Sequence, residues 1–299
     1  MKDKISVTGS KGFIGSWLCS YLQVPNLRRF DLETGDDLLY STVQDLVVNR
    51  SDVIIHLAAL SGLKACNERS KLADMVNHEA TIQLAEKAKA GGVKRFIFAS
   101  SSSVYGEAYK YLIDETHLTR PRNVYGETKL KAERISFLAD DSFEVVILRK
   151  SNVYGFGMKW KGETVIDKFI ESYLRKESIK INGTGTQKRD FVHIMDVVSL
   201  YGKIAMMPKV RSGIYNIGGT ETISIRALAH QINDVGEAVF GYRVPIESIE
   251  GPTGAGWHDF KYDFSLAKME FQYNPVFYID DYLKERFLYE QRQKELKKR

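Results

Sequence analysis

The chain reads as an α/β protein, a doubly wound parallel sheet with a smaller α/β lobe beside it. Three features point there. Short β-branched runs alternate with amphipathic segments through the first half, a glycine-rich turn joins the first run to the first helix, and after Asn152 the rhythm gives way to scattered glycines and aromatics.

The predicted strands are Ile5–Thr8, Leu27–Asp31, Val53–Ala58, Arg95–Ser100 and Val145–Arg149. Between them lie helical patterns at Phe13–Leu22, Val43–Asn49, Asp74–Ala90 and Tyr125–Ala139, with apolar residues three and four apart. In the third of these, Met75, Val76, Ala80, Ile82, Leu84, Ala85 and Ala88 make one continuous apolar face. Right-handed crossovers between parallel strands then place helices on both faces of the sheet. A further helix at Asp196–Met206 and a strand at Gly213–Ile217 return the chain to this first domain. It therefore takes residues 1–155 and about 186–220, and the second lobe takes about 156–185 and 221–299.

Composition narrows the classes. The formal charge is +5, but residues 284–299 hold seven Lys/Arg against three Glu, so the body is close to neutral and nucleic acid is not the expected partner. The longest apolar stretch, Val53–Leu60, falls far below the roughly 20 residues of a membrane span. The start, Met-Lys-Asp-Lys, enters a strand directly without a secretory pattern, which leads us to expect a cytoplasmic protein. Cys19 and Cys66 have neither metal-site nor disulfide-framework spacing, and no His/Cys/Asp cluster has metal spacing either.

The sharpest motif is Thr8-Gly9-Ser10-Lys11-Gly12-Phe13-Ile14-Gly15, lying between the first strand and the first helix. Such glycines let the backbone approach a dinucleotide pyrophosphate, whose charge the helix N-terminus stabilises. Asp31, at the end of the second strand, is placed to accept hydrogen bonds from the adenosine ribose and to repel a 2′-phosphate, which favours NAD over NADP. Arg28, Arg29 and Lys11 pull the other way, and Asp31 also reads as an ordinary strand-end turn residue. Asp37 and Leu38 are candidates to flank the adenine.

Tyr125 and Lys129, four apart, share one helix face. An ammonium and a positive nicotinamide both favour phenolate, so the pair can make Tyr125 a general base near neutral pH, and Lys129 can also bond the nicotinamide ribose. Alone, this spacing is better read as a solvated helix pair. It is accompanied by Ser100-Ser101-Ser102-Ser103 at the carboxyl end of a strand, where doubly wound folds place their ligands and a hydroxyl can polarise a substrate oxygen.

In order along the chain, TGSKGFIG, Asp31, DVIIHLAA, Asn77, FASSSSVYG, YGETK, LRKSNVYG and RDFVHIMDV resemble the extended short-chain dehydrogenase/reductase family, over roughly residues 5–220. Within it the likeness is to nucleotide-sugar 4-epimerases and their relatives. The resemblance implies an NAD-binding Rossmann domain and a substrate-binding lobe, with Ser101, Tyr125 and Lys129 catalytic. It implies cofactor contacts from Gly9, Gly12, Phe13, Ile14, Gly15, Asp31, Asp37, Leu38, Leu57, Ala58, Ala59, Asn77, Ser100, Tyr125 and Lys129. Substrate contacts would come from Ser101, Ser102, Tyr125, Asn152 and Arg189, the last reaching a diphosphate, and two subunits would pair through the helices at Asp74–Ala90 and Tyr125–Ala139.

Two departures qualify the likeness. Ser102 and Ser103 stand where the family's 4,6-dehydratases carry an Asp-Glu pair, which removes the proton donors for water loss. Residues 251–258 lack the family's usual C-terminal arginine ahead of the Asp that matches Asp263, and His258 or Lys261 would have to substitute. The link after Asp31 is also short, implying a trimmed adenosine loop. His56 and His193 read as structural, and Tyr154, Trp160 and Trp257 read equally as packed aromatics or as stacking platforms.

The expected activity is transient oxidation of a nucleotide-linked sugar at C4 and re-reduction on the opposite face, with NAD retained throughout. The alternative within enzymes is a 4-ketoreductase or dehydrogenase using the same residues. A non-catalytic dinucleotide-binding sensor would have no need of Ser101, Tyr125 and Lys129 together.

Overall fold

In the computed structural model, which describes residues 4–106, 111–157, 164–250 and 261–297, six parallel strands form the central sheet. In chain order the first half comprises β1 (Ile5–Thr8), α1 (Phe13–Tyr21), β2 (Leu27–Phe30), α2 (Ser41–Val48), β3 (Val53–His56), α3 (Leu63–Glu68), α4 (Ser70–Asp74), α5 (Ala80–Ala90), β4 (Arg95–Ser101), β5 (Leu112–Ile113), α6 (Val124–Ala132) and β6 (Glu144–Lys150). The second half comprises β7 (Asn152–Tyr154), α7 (Val165–Leu174), β8 (Ile179–Asn182), β9 (Lys188–His193), α8 (Ile194–Met206), β10 (Gly213–Ile217), β11 (Glu221–Ser224), α9 (Ile225–Phe240), β12 (Ile246–Ile249), β13 (Lys261–Tyr262), α10 (Ser265–Phe271) and α11 (Ile279–Leu296).

The strand order β10-β6-β4-β3-β1-β2 reverses direction of growth between β1 and β3, the crevice where such sheets bind ligands. Alternation along β4 and β6 divides the core. Ile97, Ala99, Val146 and Leu148 pack with α1 and α8, whereas Phe96, Phe98, Val145 and Ile147 pack with α2, α5 and α6. Inner strands covered on both faces read as near-continuous apolar runs. β2 is the edge strand, which is why it tolerates Arg28 and Arg29.

A separate apolar cluster joins α7, α9 and α11 around Phe169, Tyr173, Leu228, Ile232, Leu283 and Phe287. A three-stranded sheet, β11-β9-β7, lies between the two bodies of core, because β7 follows β6 after Ser151 alone. Among the described residues no helix is long and apolar enough to cross a membrane.

Two helical expectations are refined. The segment expected at Asp74–Ala90 begins earlier, at α4, and passes through a π-helical turn at Met75–Glu79 before α5. The segment expected at Tyr125–Ala139 is α-helical only to Ala132 and continues as a 3-10 turn at Glu133–Leu138.

Candidate active site

The glycine turn is shaped by contact, not by composition alone. Gly9 has φ +69°, and a Cβ there would lie 2.7 Å from the Ala58 nitrogen. A Cβ on Gly15 would lie 2.0 Å from the Gly9 carbonyl oxygen. Only glycine fits at either position, and the turn is thereby pressed against Leu57 and Ala58 at the carboxyl end of β3. Ala59 follows immediately, half-buried. Gly12 is the N-cap of α1 and supplies no side-chain cap, so the first-turn N–H groups of Phe13, Ile14 and Gly15 are aimed out of the helix end as anion donors.

Asp31 lies beside this turn, its Oδ2 accepting from the Lys11 backbone N–H (2.8 Å) and its Oδ1 from that of Glu33 (3.0 Å). A carboxylate has about four acceptor sites, so two remain for ribose hydroxyls. The neighbouring arginines are committed elsewhere. Arg28 donates to the carbonyls of Leu46 and Asn49 at the end of α2, and Arg29 to the Cys19 carbonyl. Uncapped donors, glycines that leave room for a phosphate and a carboxylate beyond them fit a dinucleotide without a 2′-phosphate.

Several expected cofactor residues point elsewhere. Leu38 is buried in the core around α2 and α5, and Asp37 Oδ1 accepts from the Leu39 N–H (3.0 Å), so a contact with adenine would have to come from the Leu38 backbone. Asn77 is fully buried, its Oδ1 accepting from Leu60 N (2.8 Å) and its Nδ2 donating to Leu60 O (3.0 Å) and Thr128 Oγ1 (3.2 Å). It fastens the loop after β3 to α6 and supports the site from behind. Ser100 is likewise buried and donates its hydroxyl to Glu133 (2.6 Å).

Ser101, Tyr125 and Lys129 do come together. Asn123 caps α6, its Oδ1 accepting from the Gly126 N–H (2.8 Å), which starts the helix just before the tyrosine. The half-buried Tyr125 phenol lies beside the Ser101 hydroxyl, whose influence favours the ionised form. Lys129 is buried, its Nζ 4.8 Å from the Phe98 ring centre and 5.9 Å from that of Tyr125. Ser101 Oγ also accepts from the Ser103 N–H (3.1 Å).

The electrostatics correct one expectation. Sequence reasoning has the ammonium draw the phenol towards neutrality. In the protein alone burial dominates, pushing Tyr125 up to about 12, with Cys66 adding to the rise and the Ser101 hydroxyl opposing it. Burial also lowers Lys129 to about 8, against the raising influence of Cys66 and Glu133. Near neutral pH the tyrosine is therefore a phenol and the lysine still largely an ammonium, and a further positive charge beside them would favour the phenolate.

On the substrate side, Asn152 is exposed on β7 and donates to the Asp190 carbonyl (3.0 Å), while Arg189 on β9 is half-buried near Tyr262. Ser102 lies beside the buried Tyr262 phenol, whose pKa burial raises and Ser102 opposes. Burial pushes Asp190 up to about 6, a rise that the exposed Lys261 on β13 slightly opposes, whereas Trp160, Trp257 and His258 lie outside the described residues. Tyr154 is buried against His193 and Tyr282, a packed aromatic and not a platform. His56 is buried between Thr8 Oγ1 (2.7 Å) and Thr81 Oγ1 (2.9 Å), and His193 accepts from the Met195 N–H at the start of α8.

Sequence reasoning missed the buried polar groups behind the triad. Glu133 pairs with Arg149, which donates to the Tyr105 phenol, which donates to Asn216. Lys150 reaches the Ser100 carbonyl. The one available signal was a pair of cations, Arg149-Lys150, at the end of an otherwise apolar strand.

A family model described as the NAD dependent epimerase/dehydratase family matches residues 5–218. The chain belongs to that family. YtcB of Bacillus subtilis, named as an uncharacterized UDP-glucose epimerase, is 30% identical over 96% of this chain and 97% of its own length. A human dTDP-D-glucose 4,6-dehydratase is 30% identical over 77% of this chain and 73% of its own. Among solved structures, a UDP-glucuronic acid 4-epimerase from Bacillus cereus, in complex with UDP-glucuronic acid and NAD, superposes with a TM-score of 0.82 at 27% identity, covering 98% of this chain and all of its own. The Bacillus cereus structure thus shares this chain's fold over nearly its whole length.

Proposed function

We propose that the protein is an NAD-dependent nucleotide-sugar 4-epimerase acting through Ser101, Tyr125 and Lys129. The observation that carries this reading is the convergence of these three side chains at the carboxyl edge of the sheet, beside a glycine turn fitted to a dinucleotide. Similarity to UDP-sugar epimerases supports a UDP-sugar as substrate.

NAD, which the glycine turn and Asp31 would hold, would supply a hydride acceptor and donor for C4. The protein's own groups do the proton work. Tyr125 Oη, ionised, takes the proton of the C4 hydroxyl, Ser101 Oγ donates to the oxygen as it becomes a carbonyl, and Lys129 holds the phenolate by charge. Asn152 and Arg189 lie on the strands that leave the sheet beyond Ser151, positions from which they can meet the sugar and its diphosphate. Ser102 and Ser103 give no carboxylate pair for eliminating water, so the likeness to dehydratases does not extend to their reaction.

The same reading assigns residues 1–155 and about 186–220 to cofactor binding and the remainder to the substrate lobe. It makes the protein a homodimer, paired through α5 and the turn after α6, where Phe137 is 86% exposed beside Ile82, Ile135 and Leu138. A cytoplasmic setting accords with Cys19 and Cys66 as free buried thiols.

The test is to give purified, NAD-loaded protein UDP-glucose and UDP-glucuronic acid carrying deuterium at C4 and to follow both epimers by NMR. Interconversion without added cofactor, with the label retained, is expected, and Tyr125→Phe should slow it by on the order of 10² or more. Stoichiometric consumption of reduced cofactor with no epimer formed would instead identify a 4-ketoreductase.

A further inference from the structure

Lys150 ends β6 and stands opposite Ser101 across the β4–β6 ladder. It is only 7% exposed, and its Nζ donates to the Ser100 carbonyl at 2.7 Å. Its neighbour Arg149 points to the other face and is matched by the Glu133 carboxylate. Lys150 makes no ion pair among the described residues. Burying an ammonium without a counter-charge is costly, so a purely structural strand end would be better served by an apolar side chain.

We propose that Lys150 is a positioning residue of the candidate site: its ammonium fixes the Ser100 carbonyl, and with it Ser101, and its charge favours the ionised form of Tyr125. The inference rests on the reading of Tyr125 as the acid-base group and deepens it. Two observations of geometry carry it. The Lys150 clamp acts on the residue directly before Ser101, which itself stands opposite Lys150 in the ladder, and the Lys129 Nζ beside it lies 5.9 Å from the Tyr125 ring centre. Burial, with the charge of Lys129 adding to it, holds Lys150 down to about 7, so the two lysines form a coupled pair beside the tyrosine. When Tyr125 ionises, the negative phenolate draws protons onto both lysines. Two cations then stabilise one phenolate, where the Tyr-Lys motif alone would supply one.

The other titratable groups facing this set are Cys66 of α3, Glu133 after α6, His56 of β3 and Tyr201 of α8. Burial keeps the His56 imidazole neutral with a value of about 3, and raises the Cys66 thiol and the Tyr201 phenol. Glu133 is already bound to Arg149. None of them supplies the positive charge that Lys150 adds.

The experiment compares Lys150→Gln, which keeps a donor but loses the charge, with Lys150→Arg, which keeps the charge. Phenolate absorbance of the NAD-loaded protein is titrated in each, with the same titration in Tyr125→Phe subtracted to isolate the one tyrosine, and the pH profile of kcat is recorded in parallel. The Gln variant should raise the Tyr125 titration and the acidic limb of kcat by on the order of one pH unit, about tenfold in phenolate at fixed pH, and the Arg variant should stay near wild type. Thermal melting verifies that each variant is folded, and Lys150→Met replaces the Gln variant should that one not fold. An unshifted titration without the charge overturns the proposal, as does an Arg variant that moves as far as Gln. The phenolate signal needs no substrate, so it judges Lys150 even if no sugar nucleotide is epimerised. Epimerisation with an unmoved titration removes Lys150 and leaves the reading of the site intact.

Discussion

Replacing Glu133 by leucine should be the most damaging single change behind the triad that touches no ligand. Glu133 is 5% exposed, and its carboxylate accepts from Arg149 Nε (2.9 Å) and Nη2 (2.6 Å) and from Ser100 Oγ (2.6 Å). Arg149 is 4% exposed, so without Glu133 its guanidinium stays in the interior with only the Tyr105 hydroxyl (3.0 Å) and the Glu115 carbonyl (3.3 Å) as acceptors. Breaking a buried pair from one side costs about 3–5 kcal/mol, and the orphaned Ser100 hydroxyl adds about 1 kcal/mol. Against a total stability of about 5–15 kcal/mol this is about a quarter or more. At roughly 2 °C per kcal/mol for a chain of this size, Tm should fall by about 8–12 °C. Urea denaturation and calorimetry on the NAD-free protein measure both quantities. The double variant Glu133→Leu with Arg149→Met should recover much of the loss, because an apolar pair leaves no buried charge. A single variant costing less than about 1 kcal/mol, or a double variant as unstable as the sum of its parts, would refute the reasoning. Activity adds a second reading. Glu133 raises Lys129, so its loss should leave Lys129 less fully protonated at pH 7.5 and shift the ammonium limb of kcat to lower pH.

Three further outcomes are expected. Calorimetry should show NAD binding more tightly than NADP, with Asp31→Ala narrowing the difference, since Arg28 and Arg29 are held away by carbonyls and only Lys11 is free to meet a 2′-phosphate. Phe137→Glu should convert a dimer to a monomer in light scattering at micromolar concentration without lowering Tm of the monomer, because the ring is 86% exposed in the single chain. His56 titrates at about 3 when folded and near 6.5 when unfolded, so between these values the unfolded chain binds the extra proton. Its contribution to stability is complete above about pH 6.5 and is lost as pH falls towards 3, at up to about 1.4 kcal/mol per pH unit. His56→Gln, still able to bond Thr8 and Thr81, should show a shallower loss of stability in acid, measured by urea midpoints from pH 7 to pH 4.

The sheet was legible because its inner strands are short, apolar and punctuated, and every predicted strand of the first domain forms within a residue or two of its expected ends. The triad was legible because three spaced motifs fall in order on one chain. Helix interiors were less so. The π-helical turn at Met75–Glu79 leaves the apolar spacing almost unchanged, yet it buries Asn77 and fixes it to Leu60 and Thr128. The inward turn of the Leu38 side chain was hidden for a similar reason, since a leucine after an acidic turn carries nothing that tells a ligand face from a core face.

Ser100 and Lys150 are a different case, because the information was present and was not used. Strand residues alternate faces, and Phe96, Phe98 and Ser100 therefore belong with Val145, Ile147 and Arg149. Ile97, Ala99 and Ser101 belong with Val146, Leu148 and Lys150 on the opposite side. Two serines adjacent in one motif were thus bound to have different fates, one hydrogen-bonded into the buried Glu133–Arg149 pair and the other set against Tyr125. The same alternation separates the two cations that end β6, giving Arg149 a carboxylate and leaving Lys150 beside the candidate site. A motif names the strand end at which chemistry occurs. The period of two decides which of its side chains can take part.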